Sequence, residues 1–394
     1  MELLITMKNI RMVSFVIIVL STFYLLNLYL YFKGYQAFNI LQEYRFIYAL
    51  IFFQLASLFW LARMLEAWRS SVITDALSFI GGFWFAFMLY GILLFLLSDI
   101  ILIILKLTGT IGSESIFTYR KWSFIIVAGI SFLLITAGFI NTLIPIVKKY
   151  DVTISKPVVE TKTLKIAAAS DIHLGGVIRK RSLRKLSAIL NEETPDLILL
   201  LGDIVDGDIG PVLRGDLLKY FEPPECKYGL YAVAGNHEYI GGGQRTIPYI
   251  ESRGVRVLKD EIIELPNGVQ IIGRIDKDAG RFYGKPRLAL EKLVEQTDTT
   301  KPIILLDHQP FNLDATMKNG VDLQLSGHTH HGQMFPLNYI TKMIYEVSYG
   351  YMKKGNSHII VSSGYGLWGP RVRLGSRSEI VIVNIKFGNY DDTN

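Results

Sequence analysis

Cysteine is nearly absent from this chain: Cys226 is the single one among 394 residues. An intrachain disulfide is therefore excluded, and so is the thiolate cage that holds structural zinc. Internal repeats and low-complexity tracts are missing as well. Charge is scarce: 19% of residues are charged against 50% hydrophobic, and the mean hydropathy is +0.32, too apolar for an ordinary soluble enzyme.

The scarcity is uneven. Uncharged apolar runs at 12–32, 46–61, 76–98 and 122–147 each approach or exceed the ~20 residues a helix needs to cross a bilayer, so residues 1–150 are expected to form a region of four transmembrane helices. The first run follows Lys8 and Arg11 as a signal peptide would, but its apolar core is too long and no small-residue cleavage site closes it. The third run continues past Asp99 to residue 107, which predicts one long or tilted helix, or a crossing followed by an interfacial tail, with Asp99 near the headgroups. Four spans put both termini on one side. Six basic flanking residues against five lean that side, and with it the following domain, to the cytoplasm.

Past Lys148-Lys149 the texture becomes polar. Residues 151–163 are expected to be an extended linker containing Pro157, and 164–394 a single α/β domain in which short apolar strands alternate with helical stretches. The run 198–201 stops at Gly202-Asp203, which predicts a buried strand delivering a carboxylate to a sheet edge. Four other apolar runs end alike, in Asp171-Ile172-His173, Gly235-Asn236-His237-Glu238, Asp307-His308 and Gly327-His328-Thr329-His330. Of seven histidines, six (His173, His237, His308, His328, His330 and His331) stand at these ends, and only His358 lies apart. Imidazole with carboxylate and amide oxygen is a donor set for divalent Zn, Fe or Mn.

These five blocks resemble those of the calcineurin-like metallophosphoesterase family, in order and in spacing, over about residues 164–386. The resemblance implies two packed mixed β-sheets flanked by helices and two divalent metal ions. It gives Asp171, His173 and His330 to one ion, Asn236, His308 and His328 to the other, and Asp203 to both. Two ions about 3.5–4 Å apart bind the ester's oxygens and acidify a bridging water for in-line attack. By the same resemblance His237 is a proton donor or phosphate binder, and Asp206 the acid that holds it. His331, Glu238, Asp208 and Asp307 are not expected to be ligands.

Gly207 stands where the family's protein phosphatases place an arginine that grips phosphate, which counts against a phosphoprotein substrate. Arg371 and Arg373 are the candidates for anion contacts in its place. The Gly-His-Thr-His block followed by Gly332-Gln333 is similar to a branch of small bacterial phosphodiesterases, some of which cleave a lipid-linked nucleotide sugar. With the apolar loop 334–340, this predicts a membrane-anchored phosphodiesterase acting on a lipid-linked or membrane-proximal phosphate or pyrophosphate ester. A nuclease or nucleotide phosphodiesterase with the same metal centre is the second reading, but beyond residue 149 lysine and arginine number 30 against 29 acids, which offers no excess for nucleic acid. The third is a non-catalytic membrane module sensing a phosphorylated ligand.

Overall fold

The computed structural model describes residues 2–284 and 286–388, which divide into two compact units. The first comprises residues up to 64 and 77–137. Among the described residues four helices are long and apolar enough to cross a membrane: Val16–Ala37, Arg45–Trp68, Val72–Leu107 and Ser113–Asn141. Each contributes a side chain to one buried cluster: Leu30, Phe52, Phe95 and Val127. The third helix runs unbroken for 36 residues through Asp99, as its apolar pattern predicts. Asp99 pairs there with Lys33 and accepts a hydrogen bond from the Tyr29 hydroxyl at 2.8 Å.

The fourth helix ends at Asn141, six residues before the apolar run does. Pro145 explains the difference, because it cannot donate to a helix and disfavours helical backbone at the residue before it. The β-branched Ile146 and Val147 then open a strand rather than close a span. The stretch read as a linker likewise begins inside this strand, which lasts to Ile154.

The second unit comprises 65–76 and the chain from Gly138 onward. Its strands are β1 (Ile146–Ile154), β2 (Thr163–Ala169), β3 (Leu197–Leu200), β4 (Leu230–Val233), β5 (Arg256–Leu258), β6 (Glu261–Glu264), β7 (Gln270–Gly273), β8 (Ile303–Leu306), β9 (Leu323–Ser326), β10 (Gly350–Lys354), β11 (Ser357–Val361) and β12 (Glu379–Phe387). One six-stranded sheet has the order β1-β12-β2-β3-β4-β5 and the other β10-β11-β9-β8-β7-β6. β2 to β5 are parallel neighbours, as are β7, β8, β9 and β11, while β12 against β2, β6 against β7 and β10 against β11 are antiparallel.

Period-two alternation builds the layers. Ile166, Ala168, Leu197 and Leu199 point into a cluster shared with Ile271, Ile304, Leu306, Leu323 and Leu325, so the two sheets pack face to face. The intervening residues Ala167, Ala169, Ile198 and Leu200 point the other way, onto Leu183, Leu186 and Leu190 of the helix Lys180–Glu193. On the far side Ile272, Ile303 and Leu305 pack on Leu290 and Leu293. The result is the expected α/β architecture of two mixed sheets flanked by helices. β3 (LILL) and β8 (IILL) are buried on both faces and wholly apolar, so their first polar residues appear where the strands end. Residues 65–76 join this unit through Asp75, whose carboxylate takes the guanidinium of Arg179 at 2.8 Å and that of Arg214.

Candidate metal centre

Because β2, β3 and β4 are parallel, they present their C-terminal ends on one edge of the first sheet, and β8 and β9 do the same in the second. The chain turns sharply at these ends. Asp171, His173, Asp203, His328 and His330 all have left-handed backbone, with φ of 53°, 51°, 53°, 70° and 46°. Such residues cost about 1–3 kcal/mol each and persist only where their surroundings fix them. Here the turns fix one another: Asp171 N donates to Gly202 O at 3.0 Å, His173 N to Asp203 O at 2.9 Å, and Gly327 N to His308 O at 2.9 Å. Gly327 admits no side chain, since a Cβ there would lie 1.7 Å from Ser170 Oγ and 2.4 Å from Asp171 Oδ2.

The folding brings together six of the seven ligand candidates. Asp171, His173 and His330 each offer one donor atom within 4.8 Å of the others, and so do Asp203, His308 and His328. Asp203 stands between the two sets, its Oδ2 3.1 Å from His308 Nε2 and 3.8 Å from His173 Nε2. Within the first set His330 Nε2 lies 3.4 Å from Asp171 Oδ1 and 3.0 Å from His173 Nε2. Asn236 is 9% exposed, and its Oδ1 is buried with no hydrogen-bond partner. His308 donates from Nδ1 to Leu201 O at 2.7 Å, which fixes the ring and turns Nε2 toward Asp203.

The electrostatics follow from burial. Desolvation pushes the Asp171 carboxyl up, and at Asp203 the same effect is overcome by His308 and His237, which hold it well below the usual range. His328 is pulled down to about 3 by burial and by His308, and His330 is lowered by burial, His173 and Arg373, so both imidazoles are neutral with lone pairs to give. Burial also lowers His237, but Asp203 and Asp206 outweigh it and raise the group to about 9. His237 Nδ1 lies 3.1 Å from Asp206 Oδ1 in an ion-pair contact that lacks the alignment of a hydrogen bond. The same carboxylate oxygen is 3.4 Å from His173 Nδ1.

Residues outside the ligand set do other work. Glu238 is fully buried and takes three backbone amides, Asp203 and Gly235 on Oε2 and Val205 on Oε1, at 2.7–2.9 Å. It thereby clamps the β3 and β4 turns together, a role its place in the Gly-Asn-His-Glu block does not reveal. Asp307 pairs with Arg274 and Arg287, and His358 bridges Tyr351 and Thr153. His331 turns to Ser348 and stacks near the Tyr349 ring.

Arg373, read as a substrate contact, is instead 0% exposed. Its Nη2 donates to Ser363 O, Gly366 O and His330 Nδ1 at 2.7, 2.9 and 3.2 Å, because the loop that carries it folds over the back of the site. It supports a ligand from within. Arg371 is half-buried over the Phe139 ring and lines a cavity that none of the seven candidate ligands borders.

Two buried carboxylates and four imidazoles converge here, and Asn236 Oδ1 and His308 Nε2 are buried without a hydrogen-bond partner. That arrangement fits divalent cations, which would take up the lone pairs the chain leaves unspent.

Comparison with known proteins agrees. The family model for the calcineurin-like phosphoesterase domain matches residues 164–332. The chain is 36% identical over 246 residues to an uncharacterized metallophosphoesterase of Aquifex aeolicus (strain VF5), a match covering 60% of this chain and 93% of that one. It is 30% identical over 250 residues to a transmembrane protein with metallophosphoesterase domain from Bos taurus, covering 60% of this chain and 56% of the bovine one. A solved 5'-nucleotidase precursor from Thermus thermophilus aligns over 56% of this chain and 55% of its own, at 16% identity and a TM-score of 0.33. Strand-end blocks, sheet architecture and sequence identity converge on one conclusion, that the chain belongs to the calcineurin-like metallophosphoesterases.

Proposed function

We propose that the protein is a membrane-anchored, two-metal phosphodiesterase that hydrolyses a lipid-linked or membrane-proximal phosphate or pyrophosphate ester. Asp171, His173 and His330 would hold one ion and Asn236, His308 and His328 the other, with Asp203 shared. Bound Mn, Fe or Zn would polarise the phosphoryl oxygens and acidify water for attack.

The chain's own groups do the rest. His237, charged at neutral pH by its carboxylate neighbours, faces the same space and is positioned to protonate the leaving oxygen. Asp206 holds the ring that gives up the proton, and Glu238 keeps Asp203 in register with it. The one-residue excess of basic flanks supports a cytoplasmic position for this unit.

The lipid assignment rests on the helix Leu337–Ile344, which starts directly after the turn carrying His330 and has no buried residue. Tyr339, Ile340, Met343 and Ile344 are 57%, 47%, 78% and 57% exposed, and Phe335 just before them 49%. A contiguous apolar face beside a polar site marks contact with something apolar. Acyl contacts bind ground and transition states alike, so losing them raises KM without touching kcat. At ~25 cal/mol per Å² the loss is about 1.4 kcal/mol once ~55 Å² of contact is removed, or roughly tenfold in affinity. The Ile340→Ser/Met343→Ser/Ile344→Ser variant, assayed with Mn in detergent, should show that rise for a long-chain phosphodiester and none for bis(nitrophenyl) phosphate. Equal KM changes on both substrates would refute the acyl contact.

A further inference from the structure

Outside the metal centre, the second unit holds a cavity of about 150 Å³ whose lining is unusual in its charges. Arg181 and Lys185, one turn apart on the helix Lys180–Glu193, meet Arg371 from the loop after β11, and no carboxylate borders the space. Two polar atoms in its wall are buried without a hydrogen-bond partner: Arg371 Nε and the hydroxyl of Ser378, a residue only 2% exposed. Lys185 spends one proton on Leu143 O at 2.8 Å, and the Tyr365 hydroxyl donates to Ser182 O at 2.6 Å.

Three like charges around unspent donors are unfavourable as they stand. Burial lowers the pKa of Arg371, and the neighbouring Arg181 lowers it further. A buried donor left without an acceptor loses its bond to water and gains nothing in return. An anion removes both penalties at once. A single carboxylate would engage one guanidinium fork, whereas a phosphate has acceptor oxygens for donors converging from several sides.

We propose that this cavity binds a phosphate-bearing anion at a site separate from the metal centre. The chain itself separates the two. Tyr365 and Gly366 line the cavity, and their amides donate to Ser170 O and Asp171 O at 2.8 and 2.7 Å, so the loop that borders the anion also holds a ligand candidate. Two sources offer the same chemistry. Thr142, Leu143 and Pro145 line the cavity immediately after the last candidate span ends at Asn141, which favours a lipid headgroup; a soluble phosphate is the other source.

The test uses the full chain with its metals in a zwitterionic detergent, titrated with inorganic phosphate, with dihexanoyl phosphatidylglycerol, and with potassium chloride at matched ionic strength. Melting temperature is read for the native protein and for Arg181→Gln/Lys185→Gln, both exposed positions at which the fold should survive. Any phosphate bound at the metals contributes equally to the two proteins. The native protein should be stabilised beyond the chloride blank, and the variant should need at least about tenfold more probe for the same rise. A response to phosphatidylglycerol alone assigns the headgroup; one to inorganic phosphate assigns the soluble ion. Coincident titrations of the two proteins with both probes, or a response no larger than that to chloride, would overturn the site.

Discussion

Both units of this protein take charge out of water, and they settle it in opposite ways. In the helical unit Asp99 has Lys33 as counter-charge and the Tyr29 hydroxyl as donor, so the anion is answered from within the chain. In the sheet unit Asp171 and Asp203 stand beside His330 and His328, neutral imidazoles with lone pairs of their own, and an amide oxygen is left with nothing. The first arrangement is closed, and removing either member leaves a deficit. The second is open and asks for a cation from outside. A buried charge therefore points to function when its partners cannot neutralise it, and to architecture when they can.

The sharpest way to break the contrast is to remove the shared carboxylate. Asp203→Asn should lower turnover, and weaken metal affinity by at least about a hundredfold, since even residues that only orient ligands cost 10–100-fold. Two metals retained per chain, measured by elemental analysis, would mean that Asp203 is not shared. His237→Ala should keep both metals and lose about a hundredfold in rate, less with a nitrophenolate leaving group that needs no proton. Equal losses on all leaving groups would deny it the donor role.

Chelation tests the openness itself. Stripping the metals should remove about 2.7 kcal/mol at a free-metal level about one hundred times Kd, or roughly 5–10 °C in Tm for a unit of this size at about 2–4 °C per kcal/mol, recovered on adding Mn. No change in melting would mean that the lone pairs are satisfied without a cation. The smallest effect belongs to the closed pair. Lys33→Met should cost about 1 kcal/mol, because the Asp99 side chain is 34% exposed and the pair is partly solvated. Lys33→Met/Asp99→Asn should recover most of it in a double-mutant cycle, and additive losses would show that the two do not act as a pair.

Much of the site is legible in the sequence because it sits where physics forces the pattern to change. Strands buried on both faces must end before polar residues begin, so His308 or Asp203 announces itself against Ile303–Leu306 or Leu197–Leu200. What cannot be read depends on partners far away in the chain. Asp75 meets arginines 104 and 139 residues distant. Arg373 faces inward because of how its loop is wrapped, and a sequence does not record which side of a loop faces the core. Glu238 looks like one more acid in its block until the β3 turn closes over it. The segment after His330 reads as an apolar loop; it is a helix, and its residues lack the burial that would make their spacing a reason to form one.

The candidate ligands come from both sheets: Asp171, His173, Asp203 and Asn236 from ends of the first, His308, His328 and His330 from ends of the second. Each ion would take ligands from both sheets and so staple two layers, as His173 and His330 do across 157 residues of chain. During synthesis the first half-site emerges long before the second, and closing so long a loop is slow. A full coordination shell would thus exist only once the sandwich has closed, and metal capture would then be a late event in the life of the chain and a report that both layers have met.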